Sequence, residues 1–135
     1  MARIFIRAFL YLKFWFKIKC KILYLMLNKE ESMRFIKPKD LDTDSFILDV
    51  RDYEEHEEES LALPHEFEPL RTLKPEIFVK QHHLDGSQTI NIICSSGGRS
   101  SQAAQMFEKS GYDNVAVVIG GIIEADYEGL PIVRN

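Results

Sequence analysis

The chain has 135 residues, 45% of them hydrophobic and 28% charged, a length for one domain and an apolar fraction too high for a disordered chain. Its two cysteines cannot build a disulfide scaffold. Residues 1–32 carry seven cations against Glu30 and Glu31, net +5, leaving residues 33–135 with ten cations against nineteen carboxylates, net −9. Such an acidic body repels nucleic-acid phosphates, so no nucleic-acid partner is expected for it.

Residues 1–32 are apolar but repeatedly interrupted by cations. Their longest uncharged run, Ile22–Asn28, falls far short of the roughly 20 residues of a spanning helix. A secretory signal would follow its charges with one unbroken apolar region, which is missing here. On a helical wheel Arg3, Arg7, Lys13, Lys17 and Lys21 fall within about 120° of arc, with Lys19 opposite. That is the pattern of a helix lying on an anionic membrane surface. The competing reading is that the segment is not translated. Phe, Ile, Lys, Leu, Tyr and Asn dominate it, as AT-rich non-coding DNA would encode, and Lys29-Glu30-Glu31 can be encoded by a ribosome-binding sequence just ahead of Met33. The expectation is a basic apolar leader over 1–32, a folded domain over 33–135 and a native start at Met33. A native peptide spanning residues 20–32 would refute that start.

In the body, Met33–Ile36 is a short apolar start, and Pro38-Lys39-Asp40-Leu41 reads as a turn into a brief helix. Phe46–Val50 is a near-continuous apolar run, as expected of a strand buried on both faces. Glu54–Glu59 begins a helix, its carboxylates suited to the positive end of the dipole and its acidic face to solvent. Leu61–Leu63 reads as a short strand stopped by Pro64, and Ile77–His83 as a surface helix, with Asp85-Gly86 turning into a second buried strand, Ile90–Cys94. Ser101–Ser110 is predicted helical, with Ala103, Ala104 and Phe107 on one stripe and Gly111 as its stop. Val115–Ile119 is a third buried strand, closed by Gly120-Gly121. Strand, helix and strand in that compass form a βαβ unit, so the fold class is α/β with a parallel sheet covered on both faces. His82 and His83 diverge by about 100° on a helix, and His65 has no partner at ligand spacing, so no histidine is expected to be catalytic and no metal or cofactor is expected.

One segment carries chemistry: Cys94-Ser95-Ser96-Gly97-Gly98-Arg99-Ser100. It lies beyond the carboxyl end of a parallel strand, where ligands bind in open α/β sheets. Gly97 and Gly98 can turn their amides toward a common centre, and with the first amides of the following helix they make an anion-binding nest. A thiol there ionises more easily than a free cysteine. Ser95 and Ser96 offer hydroxyl donors, and Arg99 a fixed positive charge. Asp49 and Arg51, at the end of the first buried strand, are expected to support the turn through a salt bridge.

Cys94-x-x-Gly97-x-Arg99-Ser100 resembles the active-site loop of rhodanese-like sulfurtransferases. Ile47-Leu48-Asp49-Val50-Arg51 and Glu54-Glu55 are similar to that family's first buried strand and acidic pair. Ser110-Gly111-Tyr112-x-Asn114-Val115, Gly120-Gly121-Ile122 and Gly129-Leu130-Pro131-Ile132 are similar to its later segments. The resemblance covers about residues 33–135. It implies a five-stranded parallel sheet flanked by helices on both faces and a cytoplasmic enzyme. It also implies double displacement, in which Cys94 takes the outer sulfur of thiosulfate or a persulfide and passes it to a thiol, a carrier protein or cyanide. Ser95, Ser96, Gly97, Gly98, Arg99 and Ser100 would bind the donor; a membrane surface would be a partner only if the leader is translated. Ser60-Leu61 replaces the family's Gly-His-Ile, Ala125 stands near its usual Trp, and Gly98 replaces an often basic residue, which predicts that dianionic thiosulfate is a poorer donor than a neutral or carrier-bound persulfide. Two alternatives stand beside this reading. A cysteine phosphatase or arsenate reductase would need five residues between Cys and Arg where this loop has four, and an arsenate reductase would also need a second thiol in the body. A non-catalytic binding module on the same fold would be expected to lose the cysteine, which is kept here. Lacking an internal partner, Cys94 is expected to be sensitive to peroxide.

Overall fold

A computed structural model describes residues 13–23 and 33–135. The chain divides into two compact units, 1–32 and 33–135. In the first, residues 13–23 are helical, with Phe14, Trp15, Phe16, Ile18, Ile22 and Leu23 exposed and Lys19 Nζ 4.1 Å from the centre of the Trp15 ring. Arg3 and Arg7 of the cationic arc lie outside the described residues. Among the described residues no helix is long and apolar enough to cross a membrane.

The second unit is built on β1 (Arg34–Ile36), β2 (Phe46–Asp49), β4 (Glu66–Phe67), β5 (Ile90–Ile93) and β6 (Val115–Val118). They form one parallel sheet in the order β1-β6-β5-β2-β4. Side chains alternate between its faces. Leu48, Ile90, Ile92, Val115 and Val117 pack on one side with Phe78, Ala103, Ala104 and Phe107; Ile47, Ile93 and Val118 pack on the other with Leu41, Leu61, Ile122 and Ala125. Both faces are covered, so the central strands must be apolar at every step, and that is why they show as unbroken runs in the sequence.

The covering helices are α1 (Tyr53–Glu58), α2 (Pro75–Gln81), α3 (Gly98–Lys109) and α4 (Gly121–Tyr127). Two short 3₁₀ turns, Pro38–Asp40 and Leu70–Thr72, link the elements. The expected α/β sheet with helices on both faces is therefore what the chain forms, with three local corrections. Helix α3 starts at Gly98 and not at Ser101, because the Ser101 amide and hydroxyl both bond the Gly97 carbonyl, at 3.1 and 2.9 Å. Helix α2 runs two residues earlier than predicted, with Pro75 in its first turn, where the missing N–H costs nothing. The short strand predicted at Leu61–Leu63 is β3 (Glu59–Leu61), antiparallel to β7 (Ile132–Arg134) in a separate two-stranded sheet. Its position follows from that distant pairing, which local sequence does not show.

Candidate functional site

Strand β5 ends at Ile93 and α3 begins at Gly98, so the four residues Cys94–Gly97 form the tight turn at the carboxyl edge of the sheet. Gly97 sits at φ +121°, a conformation closed to L side chains. That turn brings the Gly97 amide to 3.0 Å from Cys94 Sγ, and the Ser100 hydroxyl approaches the same sulfur at 3.1 Å. Cys94 is 1% exposed and Ser100 fully buried, so water cannot replace these donors. Burial pushes the thiol up, but the Ser100 hydroxyl and the amides of Ser100, Gly97 and Ser96 outweigh it and leave the thiol below its ordinary range. The Ser100 hydroxyl also lies 3.1 Å from the Gly97 carbonyl. Its single proton can turn to that carbonyl when the sulfur is protonated and to the sulfur when it is ionised.

The loop's other side is held by a residue the sequence reading left on a solvated acidic face. Glu55 Oε2 accepts from Arg99 Nη1 at 2.6 Å and from the Asp52 amide at 2.9 Å; Oε1 accepts from Arg99 Nη2 and Ser95 Oγ, both at 2.9 Å. This fork is the bidentate geometry a guanidinium prefers with a carboxylate. The Arg99 hydrogen bonds hold the Glu55 carboxyl down at about 2. Two of the expected loop donors thus have partners within the chain: Ser95 gives its proton to Glu55, and the Arg99 charge is paired with Glu55, with Asp52 Oδ2 at 3.9 Å. Ser96 and Gly98 are exposed at the rim. A sequence signal for Glu55 did exist, since Asp52-x-x-Glu55 is a capping pattern that fixes the glutamate on the first turn of α1.

Asp49 and Arg51 form the expected salt bridge, 2.8 Å and almost fully buried. Arg51 spends its remaining donors on the Glu59 carbonyl at 2.7 Å and the Glu55 carbonyl at 3.4 Å. Among the described residues the pair makes no hydrogen bond to 94–100; it anchors α1, and through α1 the Glu55 carboxylate. His65 does have a partner, contrary to the sequence reading. The chain doubles back between α1 and β4, placing His56 Nε2 2.9 Å from His65 Nε2, with the His65 Nδ1–H donating to the Leu63 carbonyl at 2.8 Å. Burial holds His56 below the ordinary imidazole range. The ligand atoms of Asp49, His56 and His65 lie within 4.8 Å of one another, a group with metal-binding chemistry, but the carboxylate is already taken by Arg51 and the imidazoles by each other.

A second residue that sequence reasoning missed as part of the site is Gly121. The Ile122 amide donates to the Cys94 carbonyl at 2.8 Å and the Ile123 amide to the Ser95 carbonyl at 3.3 Å, so the start of α4 is docked onto the cysteine turn. A Cβ at Gly121 would lie 2.2 Å from the Cys94 carbonyl oxygen and 2.5 Å from that of Ser95. The Gly120-Gly121 pair thus does more than close β6.

The five-stranded parallel sheet with a Cys-x-x-Gly-x-Arg turn at its carboxyl edge can be set beside known proteins. The rhodanese-like domain profile matches residues 34–124, and the chain belongs to that family. A rhodanese-related protein from Thermoplasma volcanium is 30% identical, over 74% of this chain and 97% of its own, with a TM-score of 0.59. A rhodanese from E. coli solved with anions is 24% identical, over 67% of this chain and 99% of its own, with a TM-score of 0.55. A thiosulfate sulfurtransferase from Pseudomonas aeruginosa is similar in fold, with a TM-score of 0.66, at 18% identity over 81% of this chain and 22% of its own. No curated protein matches the chain in sequence.

Proposed function

We propose that the domain is a sulfurtransferase that carries a sulfane sulfur on Cys94. The observation that carries this reading is the sulfur itself, held between the Gly97 amide and the Ser100 hydroxyl with its pKa lowered. A thiolate in this setting attacks the outer sulfur of a donor, the donor S–S bond breaks, and its electron pair leaves with the departing sulfite or thiolate. The resulting persulfide is also anionic, so amides that favour the thiolate favour it too. A thiol acceptor then attacks the terminal sulfur and restores the thiolate. Phosphoryl transfer is disfavoured, because the loop arginine it would need for its oxyanion is engaged by Glu55.

The test is intact mass after incubation with thiosulfate and, in parallel, with an organic sulfane donor, comparing the native chain with Cys94→Ser. One added sulfur on the native chain only is expected. No added sulfur from either donor would leave the domain as a binding module and end the proposal.

A further inference from the structure

Arg99 is the one charged side chain in the loop 94–100. Both of its terminal nitrogens are bound by Glu55, at 2.6 and 2.9 Å, and Asp52 stands 3.9 Å away. Together with the Cys94 thiolate, three negative groups surround one positive one, and the partial charge at the start of α3 is directed at the sulfur. A dianion arriving at this mouth finds the one cation of the loop already paired. The position that could supply one is Gly98. It is exposed on the first turn of α3, its φ lies outside the left-handed region, and a Cβ there would meet nothing within 4 Å. Packing does not require glycine at this position, yet a side chain there would stand at the rim of the loop.

Resting on the sulfur-transfer reading, we propose that this loop selects its donor by charge: with Arg99 cancelled by Glu55 and Asp52 and no cation at Gly98, it takes sulfur from weakly charged persulfides and discriminates against dianionic donors such as thiosulfate.

Two probes that differ by one charge at nearly the same shape separate this from ordinary reactivity. Thiosulfate and the methanethiosulfonate anion both give up their outer sulfur to Cys94, leaving sulfite and methanesulfinate respectively, with the persulfide anion as the common product. The variant Gly98→Lys adds one positive charge at the rim, taken as about 8 Å from the donor for a Coulomb estimate, and Gly98→Gln adds similar bulk without charge. At an effective dielectric of about 60, that charge is worth about threefold in kcat/KM for the monoanion and, because the energy doubles, about tenfold for the dianion. The expected result is that Gly98→Lys shifts the thiosulfate to methanethiosulfonate ratio about threefold toward thiosulfate while Gly98→Gln leaves it unchanged. The native chain should show a thiosulfate kcat/KM that does not fall as salt is added, and Gly98→Lys one that does. A native thiosulfate rate that falls steeply with salt, or an unchanged donor ratio in Gly98→Lys, would overturn the inference while leaving sulfur transfer intact. Loading of Cys94 by neither anion would overturn both.

Discussion

Replacing Gly121 with alanine tests the docking of α4 on the cysteine turn. The backbone there is at φ +61°, and a non-glycine residue in that left-handed region costs about 1 kcal/mol. The added Cβ would also lie 2.2 Å from the Cys94 carbonyl oxygen, 2.5 Å from that of Ser95 and 2.6 Å from the Ser95 carbonyl carbon. An ordinary van der Waals contact requires the two segments to part by about 1 Å. That movement breaks the Ile122 bond at 2.8 Å and the Ile123 bond at 3.3 Å, each worth about 1 kcal/mol. The sum is about 3 kcal/mol, or a melting temperature lower by about 15 °C for a domain of this size. Gly129→Ala is the control, since Gly129 also has positive φ (+88°) but nothing within 4 Å of its added Cβ, so it carries the backbone cost alone. Thermal melting of the two variants and the rate of Cys94 alkylation would be measured side by side. If Gly121→Ala melts no lower than Gly129→Ala and alkylates like the native chain, the close approach of α4 does not hold the loop.

Two further outcomes can be checked on the same domain. Ser100→Ala removes a hydroxyl from a fully buried sulfur and should move the Cys94 thiol pKa upward, read from the pH dependence of iodoacetamide alkylation; an unchanged or lower midpoint would remove Ser100 from the activation of the thiol. Glu55 is held at about 2 in the folded state against an ordinary 4.5, so its contribution is complete above pH 4.5 and is lost as pH falls through that range toward 2. With the carboxylate 36% exposed, solvent screening reduces that contribution to about 1 kcal/mol. Melts of the native chain should therefore lose more between pH 6 and pH 3 than those of Glu55→Gln, and equal losses would refute the linkage.

The sequence disclosed those parts of the molecule whose cause is local. Strands β2, β5 and β6 could be read directly because burial on both faces forces Ile47, Leu48, Ile92, Val117 and their neighbours to be apolar without alternation. The turn at Cys94 was legible because the placement of Gly97 and Arg99 around a strand end has a mechanical reason. What stayed hidden depends on partners far away in the chain. Strands β3 and β4 are only three and two residues long, and β3 exists because Glu59–Leu61 meets Ile132–Arg134. The partners of Glu55 at Ser95 and Arg99 are 40 and 44 residues distant, so its acidic neighbourhood on α1 looked like an ordinary wetted surface. The His56–His65 contact has the same origin: nine residues apart, the two rings meet only because the chain reverses after α1.

The depth at which Cys94 sits also bears on how a loaded protein would behave. The resting Cys94 is almost wholly sheltered, whereas a second sulfur attached to it would stand one S–S bond, about 2 Å, farther from the backbone. On the sulfur-transfer reading, that bond would set the reactive atom apart from the buried Cys94 position, in a turn whose residues Ser96 and Gly98 are exposed. If the domain carries sulfur as proposed, the speed with which a bulky electrophile is captured would tell an empty domain from a full one.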